Sequence, residues 1–398
     1  MPTLPTRRGS ASAEALSFAA YTSFVPIGIV NVILGPLLPT LSTRWSLSYS
    51  QAGALFTAQY LASTIAVAVS GVMVSRWGFR FAMKSGLLLA AAAVALLLTG
   101  SRLLGIVCIG AIGAGLGLAV PAGNLLVAQV NSSSRSSALN VLNFCWSAGA
   151  VASPFLVAWA TQRHRVNLLL YVVGAALFLV VVGIATMPSS IVEPPTADGG
   201  TGPRTGRIDW KERALPGLAL LFFLYVGVEN GFGGWAASYA KTLGTFPLGL
   251  ALMTPSFFYF ALTVGRWLAP LFLRVVDEIR LVQAGLLIAC GGMLLFARAH
   301  SLAGVALSAF AAGFGLSSVY PVTIAMLSRE FGSAATRVGS LMFVLSNLGG
   351  GCLPWLVGVS SSRFGTLKAG LAVPLIGGGI MFVLYLREWK PLTQSQPA

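Results

Sequence analysis

Charge is what this sequence has least of. Only 9% of its 398 residues are Asp, Glu, Lys or Arg, against about 25% in a soluble globular protein. Acids are the scarcer sign, ten against 25 bases, for a net charge of +15. So few charges exclude a soluble domain. The bases are scattered singly between apolar runs rather than gathered on a helix or patch, which excludes nucleic acid as a partner. Histidine and cysteine are as sparse. His164 and His300 lie at loop positions, and Cys108, Cys145, Cys290 and Cys352 each stand alone in an apolar run with no C-x-x-C spacing. The cysteines read as small buried hydrophobes. With neither a metal cluster nor a nucleophile–base pair in view, no enzyme and no cofactor is expected.

What is present is apolar residues, 56% of the chain, and a mean hydropathy of +0.83. The lipid bilayer is the natural solvent for such a chain. A spanning helix needs about 20 apolar residues. Twelve candidates meet that length: 16–41, 51–75, 81–100, 103–128, 137–160, 166–187, 214–240, 249–274, 279–298, 301–327, 335–359 and 366–387. The predicted fold is an all-α membrane protein of twelve transmembrane helices in two six-helix bundles. Residues 188–213, "PSSIVEPPTADGGTGPRTGRIDWKER", form a polar linker between an N-terminal bundle, 1–187, and a C-terminal bundle, 214–398.

Orientation follows from the bases. With the N-terminus inside, sixteen Lys and Arg fall in inside segments, eight in outside loops, and Arg266 within a span. That bias predicts a multi-pass inner-membrane protein with both termini cytoplasmic. The stretch "MPTLPTRRGSASAEA" leads into an apolar run longer than a signal-peptide core, so an uncleaved first span is expected.

The halves repeat at an offset of 200 residues. Gly113, Gly115, Leu116 and Pro121 match Gly313, Gly315, Leu316 and Pro321; Gly149, Pro154, Leu156 and Val157 match Gly349, Pro354, Leu356 and Val357. After the second span comes "GVMVSRWGFR" (71–80). It resembles the loop signature G-x-x-x-D-R-x-G-R-R of the major facilitator superfamily, whose plan is a parallel six-plus-six repeat. Gly71, Arg76, Gly78 and Arg80 keep its frame or chemistry, while Ser75 replaces the aspartate and Phe79 an arginine. The resemblance implies a gating loop that steadies the outward-open state, weakened here by the missing acid. A looser second copy is "GRWLAPLFLR" (265–274), containing Arg266.

Further segments resemble the branch containing the fucose–proton and glucose/galactose symporters. These are the Asn-led "NVILGPLLPTLSTRWSLSYSQAGALFTAQYLAS" (31–63), "GLGLAVPAGN" (115–124) and "RSSALNVLNFCWSAGA" (135–150). The resemblance implies sugar-site polars at Asn31, Asn124 and Asn143. It does not carry the coupling acids, whose places are Val32 and Val120. A buried helix-4 arginine and a G-P-x-x-G-G kink, as in drug–proton antiporters, are absent.

Helical spacing groups the remaining polar residues. Asn140, Asn143 and Ser147 form one stripe on the fifth span, mirrored on the eleventh by Ser340, Phe343 and Asn347. Such stripes either line a central cavity or hydrogen-bond helix to helix. Gln59 and Ser63 are paired at i, i+4, while Asn31 and Asn124 stand alone. Amides carry a donor and an acceptor at one head, which suits a sugar hydroxyl. Trp146, Trp235, Tyr259 and Tyr320 are candidates to cover a sugar ring, or alternatively to pack.

One acid lies deep. Glu229, in "LYVGVENGFGGWAASYA" (224–240), stands about 22 Å along the seventh span. It must be paired, protonated or facing water. Arg266 falls roughly a dozen ångströms nearer the cytoplasm on this register, so no direct pair is expected and Arg266 is expected to serve the cytoplasmic gate or to snorkel. Tyr225, Phe232, Trp235 and Tyr239 share the acid's face, with Asn230 about 100° away. Gly231, Gly233 and Gly234 predict a bend that closes over the site. Glu229 remains a candidate for sugar binding, for proton coupling, or for a fixed structural bond.

The predicted function is a monomeric secondary transporter of a small neutral polar solute, best read as a sugar, with protons as a candidate second substrate. Polar groups near mid-membrane would bind the solute and the two bundles would alternate access to it. The alternative is a proton-linked exporter of a drug-like or amphipathic compound.

Overall fold

A computed structural model describes residues 7–131, 134–186, 214–332 and 335–386. Every regular element among them is an α-helix: α1 (Arg7–Val32), α2 (Leu34–Arg44), α3 (Tyr49–Leu96), α4 (Arg102–Val130), α5 (Arg135–Gln162), α6 (Val166–Thr186), α7 (Ala214–Leu243), α8 (Leu248–Phe272), α9 (Glu278–Phe296), α10 (Leu302–Leu316), α11 (Val319–Phe331), α12 (Ala335–Phe364), α13 (Leu367–Gly370) and α14 (Ala372–Leu386). Lipid offers backbone groups no partner, so a chain this apolar must satisfy them within helices.

Twelve crossings follow from these fourteen helices. α3 has 48 residues, about 72 Å at 1.5 Å per residue, over twice the depth of a hydrocarbon core. It is cut by Gly78, whose φ of 80° and ψ of 166° belong to a region open essentially to glycine alone. The second and third spans therefore meet at one residue rather than across the expected loop.

Three crossings are each built from two helices, and in each a proline lies just past the break. Pro36 has no N–H for the Val32 carbonyl, where α1 ends; Pro321 and Pro374 stand likewise in the first turns of α11 and α14. Pro121, the repeat partner of Pro321, leaves α4 unbroken. The halves share spacing without sharing every kink.

Contacts divide the chain into two compact units. The first contains 1–37 and 58–200, the second 38–57 and 201–398. The expected linker, 188–213, lies outside the described residues. In the first unit α1 packs on α4, α5 and α6; in the second α7 packs on α8, α12 and α14. The far end of the first two spans belongs with the second unit. There the Ser50 amide donates to Ser362 Oγ at 2.9 Å, and Thr57 Oγ1 donates to the Gly351 carbonyl at 3.0 Å.

The offset repeat has a packing cause. A Cβ at Gly113 would collide with the Gln59 carbonyl, and one at Gly313 with the Phe258 carbonyl. A Cβ at Gly149 would collide with the Val25 carbonyl, and one at Gly349 with the Phe223 carbonyl. The same close helix approaches thus recur in each unit. Ser101 and Ser301, also 200 apart, both cap a helix start, accepting from Leu104 N and Gly304 N.

Candidate functional site

The site builds from α7. Its sequence is apolar, and its packing on α8, α12 and α14 buries most of it. Glu229 is 8% exposed and is the one buried acid among the described residues. It has a partner. Arg266 Nη2 lies 3.9 Å from Glu229 Oε2, and the same nitrogen donates to the Tyr225 hydroxyl at 2.9 Å. Tyr225, one helical turn before Glu229, stacks on Tyr320 with ring centroids 5.1 Å apart and planes at 28°. Two helices and a tyrosine pair from α7 and α11 thus converge on one buried ion pair.

This corrects the expectation that Arg266 is too far away to pair. The relevant reference is the turn joining the two helices. Glu229 is 14 residues before Leu243 and Arg266 is 18 after Leu248, about 21 and 27 Å from that turn. The offset is about 6 Å, and an extended arginine side chain bridges it. Arg266 therefore belongs with Glu229 and not with the gating loop.

The expected bend in α7 is also absent. The helix runs unbroken through Gly231, Gly233 and Gly234. Aromatic rings occupy the space that side chains would need: a Cβ at Gly233 would lie 2.7 Å from the Tyr259 hydroxyl, and one at Gly234 2.7 Å from the Phe56 ring. Trp235 is held by these neighbours. It is 1% exposed, donates Nε1–H to the Pro354 carbonyl at 2.9 Å, and packs against Tyr49 and Phe56. Its ring is covered by protein in this structure. Tyr259 is buried against Phe258.

In the first unit, Gln59 Nε2 reaches the Asn31 carbonyl at 3.5 Å, beside the break at Ile33. Asn124 and Asn143 each donate Nδ2–H to the carbonyl four residues earlier, Val120 at 2.8 Å and Leu139 at 2.9 Å. A carbonyl can only accept, so this fixes the amide orientation and turns each Oδ1 away from its own helix. Asn230 in the second unit makes the same back-bond to Val226. Asn124 and Asn143 thereby present acceptors. Asn140 is exposed; Trp146 and Asn347 are half-buried.

Of the gating-loop residues, Gly78 makes the turn. Arg80 Nη2 donates to the Ile184 carbonyl in the last turn of α6, where a cation satisfies a helix end. Arg76 is exposed, and nothing lies within 4 Å of a Cβ placed on Gly71.

Sequence reasoning missed the Glu229–Arg266 pair, the role of Tyr225 as its anchor, and the part of Tyr49, Phe56 and Thr57 in holding the far ends. One buried acid and one embedded base on consecutive helices were legible in the sequence; their common depth was not.

Comparison with known proteins bears on this geometry. The family model for the Major Facilitator Superfamily matches residues 20–354. Sodium-dependent glucose transporter 1A of Mus musculus is 23% identical over 420 residues, covering 94% of this chain and 97% of its own length. A bacterial homologue of the human lysosomal transporter Spinster superposes with a TM-score of 0.76 at 15% identity, covering 97% of each chain. The E. coli fucose:proton symporter FucP superposes with a TM-score of 0.61 at 20% identity, covering 94% of this chain and 97% of its own.

Proposed function

The chain belongs to the Major Facilitator Superfamily, and on that premise we propose that it carries a small neutral polar solute, a sugar in the first instance, by alternating access. That it is a multi-pass membrane transporter and not an enzyme comes with the family. The observation that carries the choice of solute is the ion pair. Glu229 and Arg266 meet 3.9 Å apart in a buried setting, so the deepest charges of the second unit sum to zero. A net-neutral site with hydrogen-bonding heads suits a hydroxyl-rich, uncharged ligand better than an ion. Asn124 and Asn143, which offer acceptors to ligand hydroxyls, support the same chemistry, as do relatives named for glucose and fucose. The distribution of Lys and Arg supports a cytoplasmic side for both termini.

The test is counterflow in proteoliposomes against a panel of hexoses, pentoses and nucleosides. It is run with no ion gradient, with a pH gradient, and with a sodium gradient. Accelerated exchange of at least one neutral sugar is expected. Counterflow needs no ion gradient in a uniporter or a symporter, so accumulation driven by the pH or sodium gradient is what identifies a coupling ion, and its absence under both marks a uniporter. Gradient-driven movement of a drug-like amphipath, with no sugar exchanged, would overturn the reading in favour of an exporter.

A further inference from the structure

We propose that Arg266 is itself a ligand-binding residue, and that with Glu229 it forms a donor–acceptor pair selecting adjacent neutral hydroxyls over the same sugar ring bearing a carboxylate. This rests on the reading of the Glu229 region as the solute site.

Three observations carry it. The first is spare capacity. At 3.9 Å the two heads form an ion pair but not a hydrogen bond. A guanidinium has five N–H donors, and the hydrogen bond it makes is the one to Tyr225. The second is access. The Arg266 side chain is 28% exposed and that of Glu229 11%, so the donor is the more open half of the pair. The third is anchorage by a second group. Tyr225 is 1% exposed and stacked on Tyr320. Its hydroxyl accepts from the guanidinium and is also hydrogen-bonded with Glu229, so it is the ring stacking that keeps the tyrosine, and through it Arg266, in place when the acid is neutralised.

Specificity follows from the charge balance. A hydroxyl both donates and accepts, so two adjacent hydroxyls can donate to Glu229 and accept from Arg266 with no change in net charge. A ligand carboxylate brings a second anion to a cation that Glu229 already balances, in surroundings where water screens little. Glu229 thereby excludes anionic sugars and Arg266 orients neutral ones. Neutralising the acid inverts the preference, because the tyrosine keeps an unbalanced cation in the site.

The experiment compares D-glucose with D-glucuronate, and D-galactose with D-galacturonate, as competitors of sugar counterflow in proteoliposomes. It uses the wild type, E229Q and the doubly neutral E229Q/R266Q, each checked for a monodisperse peak in detergent. In E229Q the neutral sugar is expected to weaken about tenfold and the uronate to gain about tenfold over wild type, from loss of one close charge contact. E229Q/R266Q is expected to show no uronate gain, which assigns the gain to Arg266. If E229Q loses the neutral sugar without gaining the uronate, the role of Arg266 is wrong while the sugar reading stands. If E229Q exchanges sugars like the wild type, Glu229 lies outside the solute site and this inference falls. If the wild type exchanges no sugar, the sugar reading and this inference fall together.

Discussion

A half-buried guanidinium and a buried carboxylate are stable together and unstable apart. Removing one partner leaves the other charged in a poor solvent, at a cost of about 3 kcal/mol, whereas removing both is often nearly neutral. R266Q is therefore expected to melt well below the wild type in detergent, because Glu229 loses its countercharge. E229Q/R266Q is expected to recover most of that loss despite carrying one more substitution. Thermal unfolding of the three proteins, followed by intrinsic fluorescence, measures this directly. A double variant that melts no higher than R266Q would show that something other than the charge pair sets stability there. Asn124 and Asn143 illustrate a related economy. Each commits one of its two N–H donors to the helix backbone, which fixes the amide orientation and leaves its oxygen and one N–H to present.

Helix against helix, the recurring device is a glycine over a neighbour's carbonyl. Gly113 and Gly313 meet Gln59 and Phe258 too closely for any Cβ, while Gly110 and Gly291 face open space. Valine at either of the first pair is expected to reduce folded yield sharply, since overpacking costs about 1–3 kcal/mol and here the obstacle is backbone. Valine at Gly110 or Gly291 is expected to be tolerated. Equal damage at all four positions, measured by fluorescence-detected size exclusion, would mean that helix propensity and not close approach explains these residues. G78A belongs with the first group for a different reason, its positive φ. This level also shows what could be read in advance. Span number and the 200-residue repeat were legible because bilayer thickness sets helix length and close packing restricts certain positions to glycine. The Glu229–Arg266 pair was not, because depth on an antiparallel neighbour depends on where the turn lies. An error of three residues moves a side chain by about 4.5 Å. Nor could composition distinguish Pro321, beside a break, from Pro121, inside a continuous helix.

For the molecule as a whole, the boundaries between units are informative because two of them cut through helices. The junctions at 37/38 and 57/58 fall inside α2 and α3, so each of these helices is shared between units. A helix anchored in two bodies must release one anchorage if those bodies are to move. The anchorage of 38–57 combines polar, aromatic and close glycine contacts, Gly53 on Trp355 and Gly358 on Tyr49 among them. It includes the Ser50–Ser362 and Thr57–Gly351 hydrogen bonds and the rings of Tyr49 and Phe56 on Trp235. Net hydrogen bonds contribute about 1 kcal/mol each, a scale that allows their release on a transport timescale. Under the proposed alternating access, this contact is expected to open once per cycle. The Ser50 amide lies 2.9 Å from Ser362 Oγ, which makes these two positions the pair to cross-link. S50C/S362C is expected to exchange solute when reduced, to stop when oxidised, and to recover on adding reductant. Full exchange by the cross-linked protein would mean that 38–57 stays with the second unit throughout the cycle, and the moving boundary would then have to lie elsewhere.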